Sequence, residues 1–305
     1  AGEGTDLVQS SATYVLGANV EQLILIGSGA VNATGNELAN FLVGNAGVNT
    51  LSGGAVNDTY TVGAGDTVVE GVGQGTDLVQ SAVSWTLSAN VDNLTLTGAS
   101  AVDGTGNDLA NVLTGNAAAN VFTGGAGNDT YVVGAGDSVV ELFAQGTDQV
   151  QSAVSWILSA NVENLTLSGT ASVDATGNEL NNTLTGNSGN NVISAGAGND
   201  TINAGSGVDT AIGGLGNDLY FVDNTADVIT ELAGEGNEVV QAFASYTLSA
   251  NLETLVLVGA ATINGTGNEL GNLLLGNAAG NILSGAGGND VLNGGAGNDY
   301  ISVGG

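Results

Sequence analysis

The chain has 305 residues, of which 30 are acidic and none is lysine, arginine or histidine, so its formal net charge at pH 7 is -30. It is nevertheless 42% hydrophobic with a mean hydropathy of +0.23, which is typical of a folded chain and not of a disordered acidic tail. The missing positive charge excludes ordinary binding to nucleic acid and to anionic lipid, which leaves cations as the natural partners. The lack of cysteine excludes disulfides and thiolate sites.

No run of about 18 apolar residues predicts insertion into a membrane. The first residues, AGEGTDLVQS, show neither the basic start nor the apolar core of a secretion signal. We therefore expect this chain to be a segment from inside a longer protein.

Long repeats organise the chain. GTDLVQS at Gly75 matches GTDLVQS at Gly4, GTDQVQS at Gly146 and GNEVVQA at Gly236, at offsets of 71, 71 and 90 residues. We predict one continuous solenoid domain over 1–305, built from four repeats: 1–74, 75–145, 146–235 and 236–305. The third repeat is longer by two nonapeptides, AGAGNDTIN and AGSGVDTAI, and one further residue. Insertion by whole nonapeptides is typical of a solenoid, because a full extra coil changes only the length.

A period of nine residues runs inside each repeat, as in GNELANFLV, GNAGVNTLS and GGAVNDTYT of the first. The eighth position of the nonapeptide is apolar, and we predict that it points inward: Leu42, Leu51, Tyr60, Leu274, Leu283, Leu292 and Ile301. Glycine-rich loops turn the chain between strands. Two nonapeptides make one coil of about 18 residues, so the predicted fold is an all-β, right-handed parallel β-solenoid. With strands about 4.8 Å apart, it would form an elongated rod on the order of 80 Å long.

Three nonapeptides carry a specific resemblance: GGAGNDTYV (124–132), GGLGNDLYF (213–221) and GGAGNDYIS (294–302). They resemble the haemolysin-type calcium-binding repeat of RTX proteins, which folds as a parallel β-roll. The resemblance implies several Ca²⁺ ions held between loops of neighbouring coils by loop carbonyls and the aspartate at position six. It also implies export by a type I system and a location outside the cell or on the bacterial surface, where calcium is plentiful.

The spacing of the acids predicts where such ions would bind. A loop stacks on the loop one coil later, so a full site needs acids about 18 residues apart. The best candidates are two pairs at that separation: Asp200 with Asp218, and Asp209 with Asp227. The glycines of the stacked AGAGND and GGLGND loops are the candidates for carbonyl ligands: Gly196, Gly198, Gly214 and Gly216. Two pairs are 19 apart and a third is looser: Asp58 with Asp77, Asp129 with Asp148, and Asp218 with Glu238.

Two further acids have incomplete partners. The residues 18 positions before Asp290 and Asp299 are Asn272 and Asn281, whose side chains are neutral amides. We expect any ion at these aspartates to be only partly coordinated by this segment.

Most other nonapeptides carry asparagine at position six: Asn40, Asn49, Asn111, Asn120, Asn182, Asn191, Asn272 and Asn281. Carboxylates stacked about 5 Å apart repel by roughly 3 kcal/mol at an effective dielectric constant near 20, whereas stacked amides can hydrogen-bond along the file. Asparagine therefore predicts loops that need no ion. We expect a hybrid in which apolar coils are ordered by packing and aspartate coils are ordered by calcium.

Two groups of residues have two interpretations each. The aromatic residues at one recurring position are predicted to pack at a corner of the solenoid, with a sugar-stacking file as the alternative: Tyr14, Trp85, Trp156 and Tyr246. A second group of acids forms either a solvated rim or further cation sites: Asp66, Asp137 and Asp227, with Glu70, Glu141 and Glu231.

The composition argues against catalysis, since nucleophile–histidine pairs, Schiff bases and phosphate clamps are all excluded and the acids recur with the coils, as active sites do not. Three functional classes remain: an extracellular structural or adhesive rod (a fibre, surface-layer or adhesin element), the calcium-folded carrier region of a secreted enzyme or toxin, and a glycan-binding module. Both termini fall inside the repeat, and an uncapped solenoid exposes strand edges, which favours the first class. The predicted partners are calcium, further repeats of the same chain or other copies in a filament or lattice, and a cell-surface polysaccharide.

Overall fold

A computed structural model describes residues 4–304 of the chain, which form short strands and turns and no helix. Residues 1–3 and 305, at the ends of the first and fourth predicted repeats, lie outside the described residues. Within 4–304 there is consequently no long apolar helix that could cross a bilayer. The chain forms two compact units, an N-terminal unit of residues 1–149 and a C-terminal unit of residues 150–305.

The strands of the N-terminal unit are short and evenly spaced. In chain order they are β1 (Leu7–Ser10), β2 (Tyr14–Val15), β3 (Gln22–Leu25), β4 (Ala33–Thr34), β5 (Phe41–Val43), β6 (Thr50–Ser52), β7 (Thr59–Val62), β8 (Thr67–Val68), β9 (Leu78–Ser81), β10 (Trp85–Thr86), β11 (Asn93–Leu96), β12 (Gly104–Thr105), β13 (Val112–Thr114), β14 (Val121–Thr123), β15 (Thr130–Val133) and β16 (Ser138–Val140).

The strands of the C-terminal unit follow the same pattern, and the first of them starts at the last residue of the N-terminal unit. They are β17 (Gln149–Ser152), β18 (Trp156–Ile157), β19 (Asn164–Leu167), β20 (Ala175–Thr176), β21 (Thr183–Thr185), β22 (Val192–Ala197), β23 (Thr201–Asn203), β24 (Thr210–Leu215), β25 (Leu219–Val222), β26 (Val228–Thr230), β27 (Val239–Ala242), β28 (Tyr246–Thr247), β29 (Thr254–Leu257), β30 (Gly265–Thr266), β31 (Leu273–Leu275), β32 (Ile282–Ser284), β33 (Val291–Asn293) and β34 (Tyr300–Ser302).

Strand pairing makes each unit a parallel β-solenoid. In the N-terminal unit the odd-numbered strands from β1 to β15 pair in sequence as a main sheet, and the even-numbered strands form two short sheets, β2-β4-β6-β8 and β10-β12-β14-β16. In the C-terminal unit β19 to β33 form the main sheet, and the short sheets are β18-β20-β22-β24-β26 and β28-β30-β32-β34. Each predicted repeat therefore has its own short sheet. The third short sheet has one strand more than the others, which confirms the inserted coil.

The length of a coil varies regularly within a repeat. Val79 pairs with Leu94, fifteen residues later, and Leu94 then pairs with Leu113, nineteen later. Leu113 pairs with Tyr131, eighteen later. The predicted average of about 18 residues is confirmed, but the coil that opens each repeat is shorter than the nonapeptide rule allows.

The core lies between the main sheet and the short sheets, since strand side chains alternate between buried and exposed positions. Leu42, Leu51 and Tyr60 are fully buried, as are Leu274 and Leu283, which confirms the inward eighth position. The prediction is wrong for the last coil, where Leu292 is only half-buried and Ile301 is exposed. Strands β33 and β34 pair on one side only, so no second coil covers these two side chains.

The recurring aromatic residues each open a short-sheet strand. Trp85 and Tyr246 are buried there, which confirms the interpretation as corner packing at these two positions. Trp156 is half-buried, and Tyr14 in the first coil is exposed.

Candidate metal centres

An acidic file runs along the loop edge that leads into the main sheet. It consists of the residue immediately before each main-sheet strand. In the N-terminal unit these residues are Asp6, Glu21, Asn40, Asp58, Asp77, Asp92, Asn111, Asp129 and Asp148, and in the C-terminal unit they are Glu163, Asn182, Asp200, Asp218, Glu238, Glu253, Asn272 and Asp290. Because the strands are parallel and in register, each member lies one coil from the next.

A hydrogen bond from backbone to carboxylate links neighbouring members of the file. The N–H of Asn40 donates to Oδ1 of Asp58 (2.6 Å), and the N–H of Asp58 donates to Oδ1 of Asp77 (2.8 Å). The N–H of Asp77 in turn donates to Oδ2 of Asp92 (2.7 Å). Each carboxylate is thus held by the coil before it.

The structure brings together the aspartate pairs that the sequence predicts at separations of 18 and 19 residues. In the N-terminal unit the N–H of Asp129 donates to Oδ1 of Asp148 (2.8 Å). In the C-terminal unit the N–H of Asp200 donates to Oδ1 of Asp218 (2.7 Å), and on the opposite loop edge the N–H of Asp209 donates to Oδ1 of Asp227 (3.1 Å). Their role as calcium ligands stays a prediction.

Asp290 and Asp299 have the predicted amide neighbours. Oδ1 of Asp290 accepts from the N–H of Asn272 (2.9 Å), and Oδ1 of Asp299 accepts from the N–H of Asn281 (2.8 Å). Both aspartates therefore sit in the same geometry as the paired ones, with a single carboxylate in place of two.

The glycines predicted to provide carbonyl ligands lie in stacked loops. Gly196 and Gly198 have φ of 114° and 121°, and Gly214 and Gly216 have φ of 96° and 133°, a left-handed region that disfavours any residue with a Cβ. Gly196 pairs with Gly214 in register, and a Cβ on Gly214 would collide with the carbonyl oxygen of Gly196. Glycine therefore lets the two loops stack with their backbones in close approach.

Buried carboxylate oxygens without a partner show that these residues suit a cation. Asp58, Asp200, Asp209 and Asp218 are each at most 2% exposed, and Oδ2 of each has no hydrogen-bond partner. A buried, unpaired anionic oxygen is costly, and this chain has no lysine, arginine or histidine to neutralise it. Calcium takes six to eight oxygen ligands from carboxylates and carbonyls, which are the groups this edge offers.

The carboxyl groups are also easier to protonate than usual. Burial raises the pKa of Asp58, Asp129 and Asp200 to about 6, opposed by a backbone N–H that stabilises each anion and assisted by the next aspartate in the file. The pKa of Asp209 rises to about 6 for the same reasons. A cation at these positions would stabilise the carboxylate anions and so offset the burial that raises their pKa.

Three glutamates lie inside the solenoid and not on a solvated rim. Glu70, Glu141 and Glu231 follow the last strand of a short sheet and are buried, which makes the rim interpretation wrong for them. Each accepts a hydrogen bond from a buried tyrosine of the main sheet: Tyr60 to Glu70, Tyr131 to Glu141, and Tyr220 to Glu231. Among their predicted companions, Asp66 is buried, and Asp137 and Asp227 are half-buried.

Each glutamate meets acids of the file in what we name a junction cluster, at the boundary between two repeats. The first comprises Asp58, Glu70 and Asp77, the second Asp129, Glu141 and Asp148, and the third, in the C-terminal unit, Asp218, Glu231 and Glu238. In the first and second clusters, one oxygen from each of the three carboxylates lies within 4.8 Å of the others. In the third, the charges of Glu231 and Asp218 both contribute to raising the pKa of Glu238, after burial and Glu253.

The charge in a junction cluster is uncompensated by any side chain. Two carboxylates 4.8 Å apart repel by roughly 3.5 kcal/mol at an effective dielectric constant near 20. Burial, more than this repulsion, raises the pKa of Glu70 to about 7 and that of Glu238 to about 8. Burial also raises the pKa of Tyr220, so its hydroxyl stays protonated and donates to Glu231.

The hydrogen bonds of the asparagine side chains in the file differ from the prediction. Oδ1 of Asn40 accepts from the N–H of Asn36 in its own loop (2.7 Å), and Nδ2 donates to the carbonyl of Val20 in the preceding coil (3.2 Å). Stacking of amide on amide is wrong for this file, because the next member after Asn40 is a carboxylate. The asparagine instead satisfies its polar atoms with backbone groups, which supports loops that need no ion.

Some acids of the file are not 18 or 19 residues from the preceding member, so the spacing used for the prediction does not identify them. Glu21, Asp92 and Glu253 lie fifteen residues after the preceding member, in the short coil that opens a repeat. The N–H of Glu238 donates to Oε2 of Glu253 (3.0 Å), as in the other links. The recurring segments ANVEQL, ANVDNL and ANLETL, each with an acid before a strand, contain the signal that identifies them.

A parallel solenoid with glycine-rich loops and files of buried carboxylates defines the calcium-binding β-roll class of repeat protein. The family model described as RTX calcium-binding nonapeptide repeat (4 copies) matches residues 34–69, 105–140, 176–211, 200–229 and 266–305, which together are more than half of the chain. The chain therefore belongs to this family, and the resemblance inferred from the nonapeptides is confirmed. Its repeats are a structural, calcium-binding fold. No curated protein matches the chain.

Proposed function

We propose that this chain is a calcium-stabilised structural and adhesive segment of a larger secreted bacterial protein, working as a rod of a fibre, surface layer or adhesin outside the cell. The observation that carries the proposal is a set of buried carboxylate oxygens in the file that have no hydrogen-bond partner, in a chain without basic residues: Oδ2 of Asp58, Asp129, Asp200 and Asp218. Calcium is scarce in the cytosol and plentiful outside, so the aspartate coils would stay open within the cell and close after export.

The paired aspartates would hold the ions between coils. In the C-terminal unit, Asp200 and Asp218 on one edge and Asp209 and Asp227 on the other combine with stacked loop carbonyls. An aspartate coil has few apolar side chains of its own, so the free energy of calcium binding becomes free energy of folding.

The asparagine coils support a structural role. Leu42 and Leu51 are fully buried in coils whose asparagines bond to the backbone, so these coils hold with less help from an ion. Exposed apolar side chains on short-sheet strands, such as Val121 and Val140, provide surface for contact with neighbouring copies. The alternative of a calcium-folded carrier region is supported by the family membership, since the same repeat would serve it.

Circular dichroism and light scattering of the full chain, in excess chelator and in millimolar calcium, test the proposal. We expect partial β structure in chelator from the asparagine coils, and full β structure together with larger particles in calcium. Complete disorder in chelator with monomers in calcium would favour the carrier region. An identical spectrum in both buffers would refute calcium stabilisation.

A further inference from the structure

The junction clusters add to a pair of file acids a third carboxylate of different origin. A loop site takes its aspartates from one edge and from equivalent positions of successive coils. In the first junction cluster, Glu70 comes instead from the end of the short-sheet strand β8 and reaches the file residues Asp58 and Asp77. Asp77 belongs to the coil that opens the next repeat, so the cluster joins two repeats.

We propose that each junction cluster is a second class of calcium site, in which the buried glutamate is a ligand and the tyrosine is its positioning residue. The inference rests on the proposed calcium binding of the chain and adds to it a carboxylate-rich clamp at the repeat boundary. Oxygens that share one ion at 2.3–2.6 Å can be at most about 4.6–5.2 Å apart. The 4.8 Å limit found in the first two clusters satisfies this condition.

Unpartnered oxygens point to a ligand in the first and third clusters. Asp58 is 1% exposed and Glu70 is 7% exposed, and each keeps one carboxylate oxygen without a hydrogen bond. In the third cluster Asp218, Glu231 and Glu238 are at most 5% exposed, and each again has one such oxygen. In the first cluster these oxygens belong to carboxylates that also lie within 4.8 Å of one another, an arrangement that a divalent cation satisfies.

The tyrosine holds one of the two glutamate oxygens by a hydrogen bond. Oε1 of Glu70 accepts from the hydroxyl of Tyr60 and from the N–H of Gly53 (3.1 Å), which leaves Oε2 for the ion. Gly53 also makes room, because a Cβ there would collide with the Asp58 carboxylate and the Tyr60 hydroxyl. The third cluster repeats this arrangement with Gly213, Tyr220 and Glu231.

Coils with and without the tyrosine–glutamate pair can be compared within the chain. The tyrosine and the glutamate occur together in the last coil of the first three repeats, and both are missing from other coils that carry a file aspartate. After Asp200 the equivalent residues are Ile202 and Gly213, and after Asp290 they are Leu292 and Val303. The aspartate alone thus does not require the tyrosine–glutamate pair, which belongs to the junction.

Calcium is preferred over magnesium at a junction cluster. Magnesium keeps several of its waters and demands near-ideal octahedral geometry, whereas calcium accepts a cage made mostly of protein oxygens. Carboxylates as buried as Asp58, Glu70 and Asp77 favour the ion that sheds its water more readily.

The test compares single variants of the full chain by calorimetric titration with calcium. Glu70→Gln keeps an acceptor for Tyr60 and Gly53 and removes only the charge and the anionic ligand, so we expect one equivalent of calcium fewer than in the wild type. Glu37→Gln, at an exposed acid of the same repeat, should keep the full number. Tyr60→Phe should keep the number but weaken one equivalent by about 10- to 100-fold, the usual effect of losing a residue that orients a ligand.

The outcomes separate this inference from the proposed function. A wild-type chain that binds no calcium would overturn both. A wild-type chain that binds calcium, with an unchanged number and affinity in Glu70→Gln, would overturn only the junction sites, as would equal losses in Glu70→Gln and Glu37→Gln. If Glu70→Gln reduces the β structure, Glu231→Gln in the C-terminal unit provides the same comparison, with exposed Glu179→Gln as its control.

Discussion

Replacing Asp200 by asparagine should change the stability of the chain in opposite directions with and without calcium. The amide oxygen of the new side chain can still accept the hydrogen bond that Oδ1 of Asp200 takes from the N–H of Asn182 (2.6 Å). The substitution therefore removes a charge and a ligand and preserves the link between coils. Asparagine already occupies equivalent places in the file, as at Asn40 and Asn182.

The two magnitudes are similar in size. Carboxylates stacked one strand apart, about 4.8 Å, repel by roughly 3.5 kcal/mol at an effective dielectric constant near 20, or about 2–3 kcal/mol with screening by salt. In chelator the variant should gain this amount because Asp218 loses its charged neighbour. In calcium at about 100 times the dissociation constant, the loss of one site should cost about 2.7 kcal/mol.

Thermal unfolding followed by circular dichroism measures both effects. For a unit of about this size, 1 kcal/mol corresponds to roughly 2–4 °C, so the melting temperature should rise by about 5–10 °C in chelator and fall by about 5–10 °C in calcium. Glu179→Gln, at an exposed acid of the same repeat, should shift little in either buffer. A shift of Asp200→Asn in the same direction in both buffers would refute the reasoning.

Three further predictions concern pH, local order and the modular coil. In chelator, the free energy of unfolding should fall as the pH rises from about 4 to about 7. The pKa values of Asp58 and Glu70 are raised in the folded chain to about 6 and about 7, so the folded state binds protons more tightly than the unfolded state. Melting temperatures at pH 5 and pH 8 check this, and a higher value at pH 8 would contradict it. Hydrogen exchange on adding chelator should show residues 195–227 losing protection before residues 36–52; simultaneous loss would argue against separate ion-ordered and packing-ordered coils. Deletion of residues 195–212, one full coil, should leave a folded chain by circular dichroism. Deletion of residues 204–212, half a coil, should not, because a main-sheet strand would then occupy the position of a short-sheet strand. Equal β content in the two deletions would contradict the coil register.

The architecture could be predicted because the nine-residue period is a local property. Each nonapeptide has one inward apolar position and a glycine loop, so Leu42, Leu51 and Tyr60 identify the core without knowledge of their neighbours. The inserted coil of the third repeat and the stacking of Asp200 on Asp218 follow from the same count, since parallel strands in register place equivalent positions one above another.

Only the tertiary structure showed where the period changes and what this brings together. The short coil at the start of each repeat moves Asp92 and Glu253 into the acidic file, although their spacing from the preceding acid is fifteen residues. Glu70 was indistinguishable from a solvated acid in the sequence, because its burial depends on a tyrosine in the opposite sheet and on the space left by Gly53. Spacing along the chain determines contacts between equivalent positions of neighbouring coils, whereas contacts across the core depend on side-chain length and packing, which the nine-residue period does not encode.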